Sequence, residues 1–455
     1  MDNTQFNNTI SPLDNRYLKL AKSACTYFNE ASFYQYRVYV ELKYLIFIVR
    51  NTSLIKDLSG DNEEQLIKTA KSFSPEDFHK ILEFEKQTRH DIKAIEYFLR
   101  EKLALMGLSS YSSLIHLGIT SEDINNLAYG LMLGDFIDKE YLPKLKTLIE
   151  KISFKSTQYQ NFAMVGRTHG QKAVPTTLGK ELAVFVYRLH KLYAKIKKIK
   201  LEGKLSGAVG NYNALKFLDS QKNWIKISEE FVKSLGMEFT PLTTQILPLD
   251  SYLELFNLTK LVNSVLAGFC QDIWNYASYE YLIIASTEKQ VGSSTMPHKV
   301  NPIDFENAEG NLGIANSLLS FFADKLPISR LQRDLSDSTV KRNFGVAFGH
   351  TMLAFESLLL GLEKISADKQ KMLDDLNSDW SILSEAIQTQ LRAGMFARGF
   401  EKVMAETQGR KMSRKDFLLM VRKLNIDKKI LNKLESLSPE EYTGEAINLV
   451  ELIKV

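Results

Sequence analysis

Long proline-free stretches with a helical spacing of apolar residues constrain this chain more than any other feature. No proline occurs from Leu249 to Met296 or between Pro327 and Pro439. In both stretches apolar residues recur at steps of three and four, the spacing of one helix face. The first could form a helix of about 35 residues, roughly 50 Å long. Helices of this length exceed a single small core, so we expect several to pack together as a bundle.

The composition favours the same fold class. The 455 residues include only 10 prolines and 23 glycines, so helix breakers are scarce. We predict an all-α protein with three helical domains, because the chain is about three times the length of a typical domain. These are an N-terminal helical domain over residues 1–111, a central long-helix bundle over 112–364 and a C-terminal helical domain over 365–455. Apolar stripes on long helices often continue across subunits, so we expect the central bundle to form an oligomer core.

Charge and cysteine content exclude several classes of protein. Lys and Arg number 58 against 54 Asp and Glu, a net charge of +4, which is too small to indicate a nucleic-acid partner. We find no run of about 18 apolar residues and predict no membrane span. The N-terminus lacks a signal-peptide pattern, and the two cysteines, Cys25 and Cys270, lie far apart. These features predict a cytoplasmic protein that binds neither nucleic acid nor membrane.

Some helix ends can be predicted from local signals. Ser74-Pro75 and Ser438-Pro439 each place an N-cap serine before a proline at the first helical position, with acidic residues following. The lysines at 195, 197, 198, 200 and 204 are interpreted as the solvated end of a helix.

Polar residues and glycines concentrate in three segments, 116–126, 166–172 and 291–307. Each interrupts a helical pattern, and irregular backbone between rigid elements often carries function. In the third segment Asn301 and Pro302 are predicted as N-cap and first helical residue. A polar loop would thus lead into the positive end of a helix beside Lys299, which is a suitable site for a carboxylate.

The third segment contains a motif with a known counterpart. Gly-Ser-Ser-x-Met-Pro-x-Lys-x-Asn-Pro over residues 292–302 resembles the signature of the fumarase/aspartase superfamily. His298 within it, together with segments 11–17, 89–91 and 333–338, resembles the bacterial adenylosuccinate lyase family. The resemblance extends from residue 11 through the C-terminal domain. It implies a β-elimination that breaks a C–N bond and releases fumarate from adenylosuccinate, giving AMP, or from the succinyl-carboxamide ribotide SAICAR, giving AICAR.

Such an elimination needs a base and an acid on opposite faces of the substrate. By resemblance, Ser293 is the base that removes the Cβ proton, with the adjacent Ser294 as the alternative. His169 is the acid that protonates the leaving nitrogen. Glu306 matches the carboxylate that supports this histidine and raises its pKa by charge proximity.

The resemblance also implies a set of substrate contacts: Arg16, Tyr17, Arg89, His90, Asp91, Thr120, Ser121, Gln245, Lys299, Asn301, Arg333, Ser338 and Arg342. Lys299, Asn301, Thr120 and Ser121 would hold the succinyl carboxylates, with Gln245 nearby. Arg333, Ser338 and Arg342 resemble ribose-phosphate contacts, and Arg16 with Tyr17 a nucleotide-binding pair. His90 would contact the phosphate or assist His169. Arg330 and Lys341 match no motif position and are interpreted as surface charges.

The family implies a homotetramer whose active sites each draw on three subunits, with no metal or organic cofactor. Two other functions remain open. Another lyase of the superfamily, argininosuccinate lyase or fumarase, would be distinguished by comparing turnover of adenylosuccinate, argininosuccinate and malate. A non-catalytic helical scaffold would release no fumarate.

Overall fold

The computed structural model describes residues 9–285, 295–296, 298–424 and 426–453. The first helices are α1 (Leu18–Phe28), α2 (Glu30–Asn51), α3 (Gly60–Lys71), α4 (Pro75–Thr88), α5 (Asp91–Leu105), α6 (Ser121–Phe136) and α7 (Leu142–Gln158). The next are α8 (Leu178–Ile196), α9 (Asn213–Leu218), α10 (Trp224–Ser234), α11 (Asp250–Ser278), α12 (Ile303–Lys325), α13 (Ser336–Lys341) and α14 (Phe344–Lys364). The last are α15 (Lys369–Asn377), α16 (Ser384–Ala393), α17 (Gly399–Thr407), α18 (Arg414–Arg422), α19 (Lys428–Glu435) and α20 (Ala446–Val450).

The strands form three small two-stranded sheets. The strands are β1 (Ala163–Thr168), β2 (Gln171–Thr177), β3 (Glu202–Gly203), β4 (Glu238–Phe239), β5 (Leu282–Ile284) and β6 (Ile365–Ala367). β1 pairs antiparallel with β2, β3 parallel with β4, and β5 antiparallel with β6. The fold is therefore predominantly helical, as predicted.

The chain forms two compact units. Unit 1 comprises residues 1–144, 194–264 and 311–354, and unit 2 comprises residues 145–193, 265–310 and 355–455. The division into three domains at residues 111 and 364 stays a prediction.

Unit 1 has an aromatic core in which edge-to-face rings pack between helices. Phe348 lies 5.2 Å from Phe136, and Phe344 lies 4.9 Å from Phe256 and 5.2 Å from Phe322, measured between ring centroids. Such contacts add to the stabilisation from apolar burial. This core holds α6 in place, and α6 carries much of the candidate site described below.

Unit 2 contains a separate apolar core in its C-terminal part. Trp380 and Phe417 pack with their ring centroids 5.5 Å apart. Ala163 and Val165 of β1 belong to the same cluster of buried residues. The β1–β2 hairpin is thus anchored to the C-terminal helices by its apolar side chains.

The sequence predictions about individual helices are only partly correct. α4 begins at Pro75 with a complete capping box between Ser74 and Asp77. The proline-free stretch after Pro327 also contains a long helix, α14, as its apolar spacing predicted. Ser438 begins only a turn, in which the Glu441 amide donates to its carbonyl.

α11 is shorter than the predicted 35-residue helix. It has 29 residues and ends at Ser278. Glu280 then adopts a left-handed backbone with φ of 61°, which stops the helix. The β-prone residues Leu282–Ile284 leave the helical path and pair with β6 instead.

One stretch, Ser336–Lys364, is long and apolar enough to cross a membrane by length and composition alone. Of the 18 residues that form its most apolar part, 72% are buried inside the structure. The core helices of soluble proteins have the same properties.

Candidate active site

His169 lies at the tip of the β1–β2 hairpin. Thr168 pairs with Gln171, so His169 and Gly170 are the two central residues of the turn. Their φ angles of 52° and 74° match a type I′ turn, which needs a left-handed backbone at both positions. For a histidine this backbone costs about 1–2 kcal/mol. The turn holds the imidazole exposed at its tip.

Gly166 allows the two strands of this hairpin to approach closely. The pairing register shifts between Val165 and Arg167, on either side of this glycine. A Cβ atom at Gly166 would lie 2.6 Å from the carbonyl oxygen of Val174, closer than real side chains come. Gly166 is therefore required by the close approach of the two strands.

The third polar segment is described in part. Ser293 and Ser294, the candidate bases, lie outside the described residues. Lys299 is exposed, and α12 begins at Ile303, one residue later than predicted from Asn301-Pro302. The amide of Glu306 donates to the Pro302 carbonyl in the first turn.

Glu306, the predicted partner of His169, bonds a different residue in the described part of the chain. Its Oε1 accepts a hydrogen bond of 3.1 Å from Trp274 Nε1. Both residues of the expected acid–carboxylate pair are described, and neither a hydrogen bond nor an ion pair joins them. The support of His169 by Glu306 stays a prediction.

Thr120 and Ser121 lie at the N-terminus of α6. Thr120 and Asp123 form a capping box, in which the Thr120 amide donates to Asp123 Oδ2 at 2.9 Å. Ser121 is the first helical residue. The helix dipole makes this end a suitable place for an anion, so the carboxylate contacts of Thr120 and Ser121 stay a prediction.

Asp123 is the centre of a fully buried polar cluster behind this helix end. Its Oδ1 lies 2.8 Å from Lys204 Nζ, and both side chains are 0% exposed. The amides of Ser206 and Gly207 also donate to the carboxylate. The interpretation of Lys204 as part of a solvated helix end is therefore wrong, because it pairs with a buried acid from a distant part of the sequence.

Glu122, the neighbour of Asp123, joins two cations. Its Oε1 lies 2.8 Å from Lys341 Nζ, and its Oε2 lies 3.4 Å from Arg333 Nη2. Lys341 also pairs with Asp337 at 2.7 Å and is buried, so its interpretation as a surface charge is wrong. Burial alone would lower the pKa of Lys341, but Glu122 and Asp337 outweigh it and raise the pKa above its ordinary value.

Arg333 and Gln245, both predicted substrate contacts, are in direct contact. Arg333 Nη1 donates to Gln245 Oε1 at 2.9 Å, and Gln245 Nε2 donates to the Ala208 carbonyl at 2.7 Å. Together with Glu122 they orient the guanidinium beside the α6 N-terminus. The structure thus brings together Thr120, Ser121, Gln245 and Arg333.

Ser338 and Arg342, one helical turn apart around the end of α13, form a second group in unit 1. Arg342 Nη1 donates to Ser338 Oγ at 2.8 Å, and Arg342 Nε donates to Glu30 at 3.0 Å. Arg16 is exposed, with its guanidinium 5.6 Å from the Tyr17 ring centroid.

Arg89, His90 and Asp91 link α4 to α5. Arg89 ends α4 with a left-handed backbone at φ of 52°, and His90 caps α5 by accepting from the Lys93 amide at 3.3 Å. Asp91 accepts from Arg37 Nη2 at 2.7 Å. Arg89 and His90 remain exposed, whereas the Asp91 carboxylate is already engaged within the chain.

Two buried charged residues of α2, Arg37 and Glu41, were not predicted from the sequence. Arg37 bonds Asn125 of α6 at 2.9 Å as well as Asp91, and Glu41 bonds His116 Nδ1 at 2.6 Å. Burial alone would lower the pKa of His116, but Glu41 outweighs it and raises the pKa. A charged residue within the long apolar run of α2 was the available signal.

Carboxylate, histidine and cysteine side chains form no metal-binding cluster in the part of the chain that the structure describes. The charged groups near α6 are instead paired with one another.

Comparison with known proteins identifies the family. Residues 16–315 match the family described as Lyase, and residues 329–443 match the family described as Adenylosuccinate lyase C-terminal. A curated adenylosuccinate lyase from Buchnera aphidicola subsp. Schizaphis graminum is 42% identical over 448 residues, 98% of each chain. The chain belongs to the adenylosuccinate lyase family.

Further members agree across the whole length. The adenylosuccinate lyase of Escherichia coli (strain K12) is 39% identical over 448 residues, and that of Legionella pneumophila (strain Corby) 41% over 447, again 98% of each chain. The family resemblance from the motif at 292–302 is confirmed. So is the prediction that the chain is an enzyme of the C–N lyase class.

Solved structures support the fold. A fumarate lyase from Mesorhizobium sp. BNC1 superimposes with a TM-score of 0.75 at 18% identity, covering 95% of this chain and 97% of the other. A 3-carboxy-cis,cis-muconate lactonizing enzyme from Pseudomonas putida gives a TM-score of 0.72 at 19% identity, covering 95% and 96%. The predicted all-α fold of the fumarase/aspartase type is confirmed.

Proposed function

We propose that this adenylosuccinate lyase family member eliminates fumarate from adenylosuccinate and from SAICAR with His169 as general acid and Ser293 as general base. The observation that carries the assignment of the acid is the type I′ turn, which holds an exposed imidazole at a hairpin tip despite the backbone cost. Strained backbone of this kind concentrates at functional sites. A structural histidine would be expected to pack against or bond its own chain.

The reaction needs charge stabilisation as well as proton transfer. Ser293 removes a proton from the succinyl Cβ, and the electron pair moves toward the adjacent carboxylate as an aci-carboxylate. Lys299 and loop amides stabilise that negative charge. The Cα–N bond then breaks with its electron pair going to nitrogen, and protonated His169 supplies the proton. The products are fumarate and AMP, or fumarate and AICAR.

Unit 1 supplies the proposed nucleotide and carboxylate contacts. Thr120 and Ser121 at the N-terminus of α6 suit a succinyl carboxylate. Arg333, oriented by Glu122 and Gln245, suits the nucleotide phosphate, for which a guanidinium can form two parallel hydrogen bonds.

We further propose a cytoplasmic homotetramer whose active sites combine residues from three copies of the chain. The contact of Glu306 with Trp274, rather than His169, supports this arrangement. In it the carboxylate that assists His169 comes from another copy. The exposure of His169 supports the same view, because its catalytic partners would then be supplied on assembly.

Mixing two inactive variants tests both the roles and the shared sites. His169→Ala and Ser293→Ala should each lose turnover of adenylosuccinate by about 10²–10⁴-fold while remaining folded. After subunit exchange, mixed tetramers should regain activity, because some sites then contain neither substitution. Fumarate release is followed by ultraviolet absorbance, and exchange is verified with differently tagged copies.

Two outcomes would contradict the proposal. Near-normal turnover of either single variant removes that residue from its role. Verified exchange with no return of activity contradicts the sharing of sites between copies.

A further inference from the structure

Asp375 on α15 joins two cations and a tyrosine in unit 2. Its Oδ1 accepts from Lys172 Nζ at 2.6 Å, and its Oδ2 accepts from Arg167 Nη2 at 2.9 Å and from the Tyr281 hydroxyl at 2.5 Å. Lys172 also donates to the Asp375 carbonyl at 3.0 Å. One carboxylate therefore binds donors from both strands of the His169 hairpin and from the residue before β5.

The hairpin needs such a partner. Arg167 and Lys172 are directly opposite each other in the pairing of β1 with β2. Like charges in that position destabilise a hairpin, and an isolated two-stranded hairpin is only marginally stable. This pair directly precedes the Thr168–Gln171 pair that flanks the turn. Its repulsion would therefore act at the base of the turn that presents His169.

The surroundings favour strong interactions at Asp375. The Arg167, Lys172 and Asp375 side chains are only 23–24% exposed. Burial opposes ionisation of Asp375, but the hydrogen bond from Lys172 and the other partners outweigh it and lower its pKa below the ordinary value. The guanidinium of Arg167 also lies 4.5 Å from the Tyr279 ring centroid. The cluster is thus ordered on several sides.

The hairpin borders a cavity of about 790 Å³, so part of its surface lacks protein packing. The cavity wall includes Arg167, Thr168 and Gly170. Other charged groups that face it from neighbouring elements are Lys180, Glu181, Asp272 and Glu445. On this side the position of the turn therefore depends on the bonds to Asp375 rather than on packed side chains.

Resting on the function proposed above, we propose that Asp375 is a positioning residue for the general acid. Its carboxylate neutralises the opposed cations of β1 and β2 and fixes the turn that presents His169. It touches no reacting atom and acts through the position and charge environment of His169.

Asp375→Asn tests this role, because it removes the charge at nearly unchanged size. We expect kcat to fall roughly tenfold or more, since small misplacements of a catalytic group are costly, while KM changes by less than about threefold. The matched control is Asp374→Asn on the same helix, whose exposed carboxylate bonds only Gln370 among the described residues. That variant should keep wild-type kcat.

A pH profile distinguishes positioning from a general structural effect. His169 must be protonated to act, so kcat falls at high pH as the imidazole loses its proton. Asp375→Asn leaves Arg167 and Lys172 uncompensated, which disfavours the imidazolium, so the alkaline limb should move to lower pH. Lys172→Met removes a cation and should move the limb to higher pH. The facing groups Lys180, Glu181, Asp272 and Glu445 are unchanged in both variants.

A double-mutant cycle separates this inference from the proposed function. In a His169→Ala background, Asp375→Asn should cause no further loss, whereas an additional loss of about tenfold would overturn the inference. Wild-type kcat and an unmoved limb in Asp375→Asn would also overturn it. If that variant fails to fold, a wild-type profile of Lys172→Met overturns it instead. Near-normal activity of His169→Ala alone would refute the acid assignment, a separate outcome.

Discussion

The β1–β2 hairpin of unit 2 and the N-terminal end of α6 in unit 1 hold their functional groups in opposite ways. Around α6 the charged side chains are buried and paired inside the chain, as with Lys204 and Asp123, both 0% exposed. At the hairpin tip His169 is exposed on a strained turn. The α6 cluster is therefore held in place by its own chain, whereas the proposed acid is presented outward, as the proposed sharing of sites between copies requires. Stability and catalysis should respond separately to changes in the two regions.

The largest effect should come from His169→Gly at the hairpin tip. Turnover should fall by about 10²–10⁴-fold, because the proposed proton donor is lost. The free energy of unfolding should rise by about 0.5–1 kcal/mol, since glycine adopts a left-handed backbone without strain and this gain exceeds its entropy cost. Steady-state kinetics and urea unfolding measure the two quantities. His169→Ala is the control, because it loses activity equally but keeps the strain. A loss of stability in His169→Gly would contradict the assigned turn.

Lys204→Met, behind the N-terminus of α6, should instead lower stability. It leaves the Asp123 carboxylate buried without its cation, so the free energy of unfolding should fall by about 3–5 kcal/mol. Urea unfolding at fixed protein concentration measures this loss. Lys200→Met, at an exposed lysine of the same cluster, should change stability by less than about 0.5 kcal/mol. Equal effects of the two substitutions would show that Lys204 is not held by Asp123.

The smallest effect should be a pH dependence from the His116–Glu41 pair. Glu41 raises the pKa of His116 above its ordinary value of 6.5, against the effect of burial. A raised folded-state pKa adds stability at pH values below 6.5, and that stability is lost as pH rises through the folded pKa. Unfolding curves across this range should show the decline in wild type but not in His116→Gln. His79→Gln, at an exposed histidine, should keep the wild-type dependence.

Local sequence patterns predicted the helices better than they predicted the contacts between side chains. The apolar spacing in the two proline-free stretches corresponds to α11 and α14, because the apolar face of a helix is determined by nearby residues. The motif at 292–302 identified the family. The hairpin around His169 was not predicted as strands, although the His-Gly pair between β-prone residues was a usable turn signal.

Buried charges could not be predicted in this way. Lys341 bonds Glu122, which is 219 positions away in sequence. Lys204 bonds Asp123, which is also distant in sequence. Nothing in the local sequence of a lysine distinguishes a solvated ammonium from one that meets a distant carboxylate. Such pairings depend on the tertiary fold, which periodicity alone does not determine.

Glycine is favoured at positions 170 and 166 for different reasons. A Cβ on Gly166 would collide with the opposite strand, whereas one on Gly170 would meet no atom within 4 Å, and only its φ of 74° disfavours a side chain. The backbone at position 170 therefore disfavours L-residues because of their chirality, whereas the space at position 166 excludes a side chain of any kind. A D-amino acid, whose mirror-image preference matches that backbone, would fit the tip of the hairpin where every L-residue with a side chain is strained.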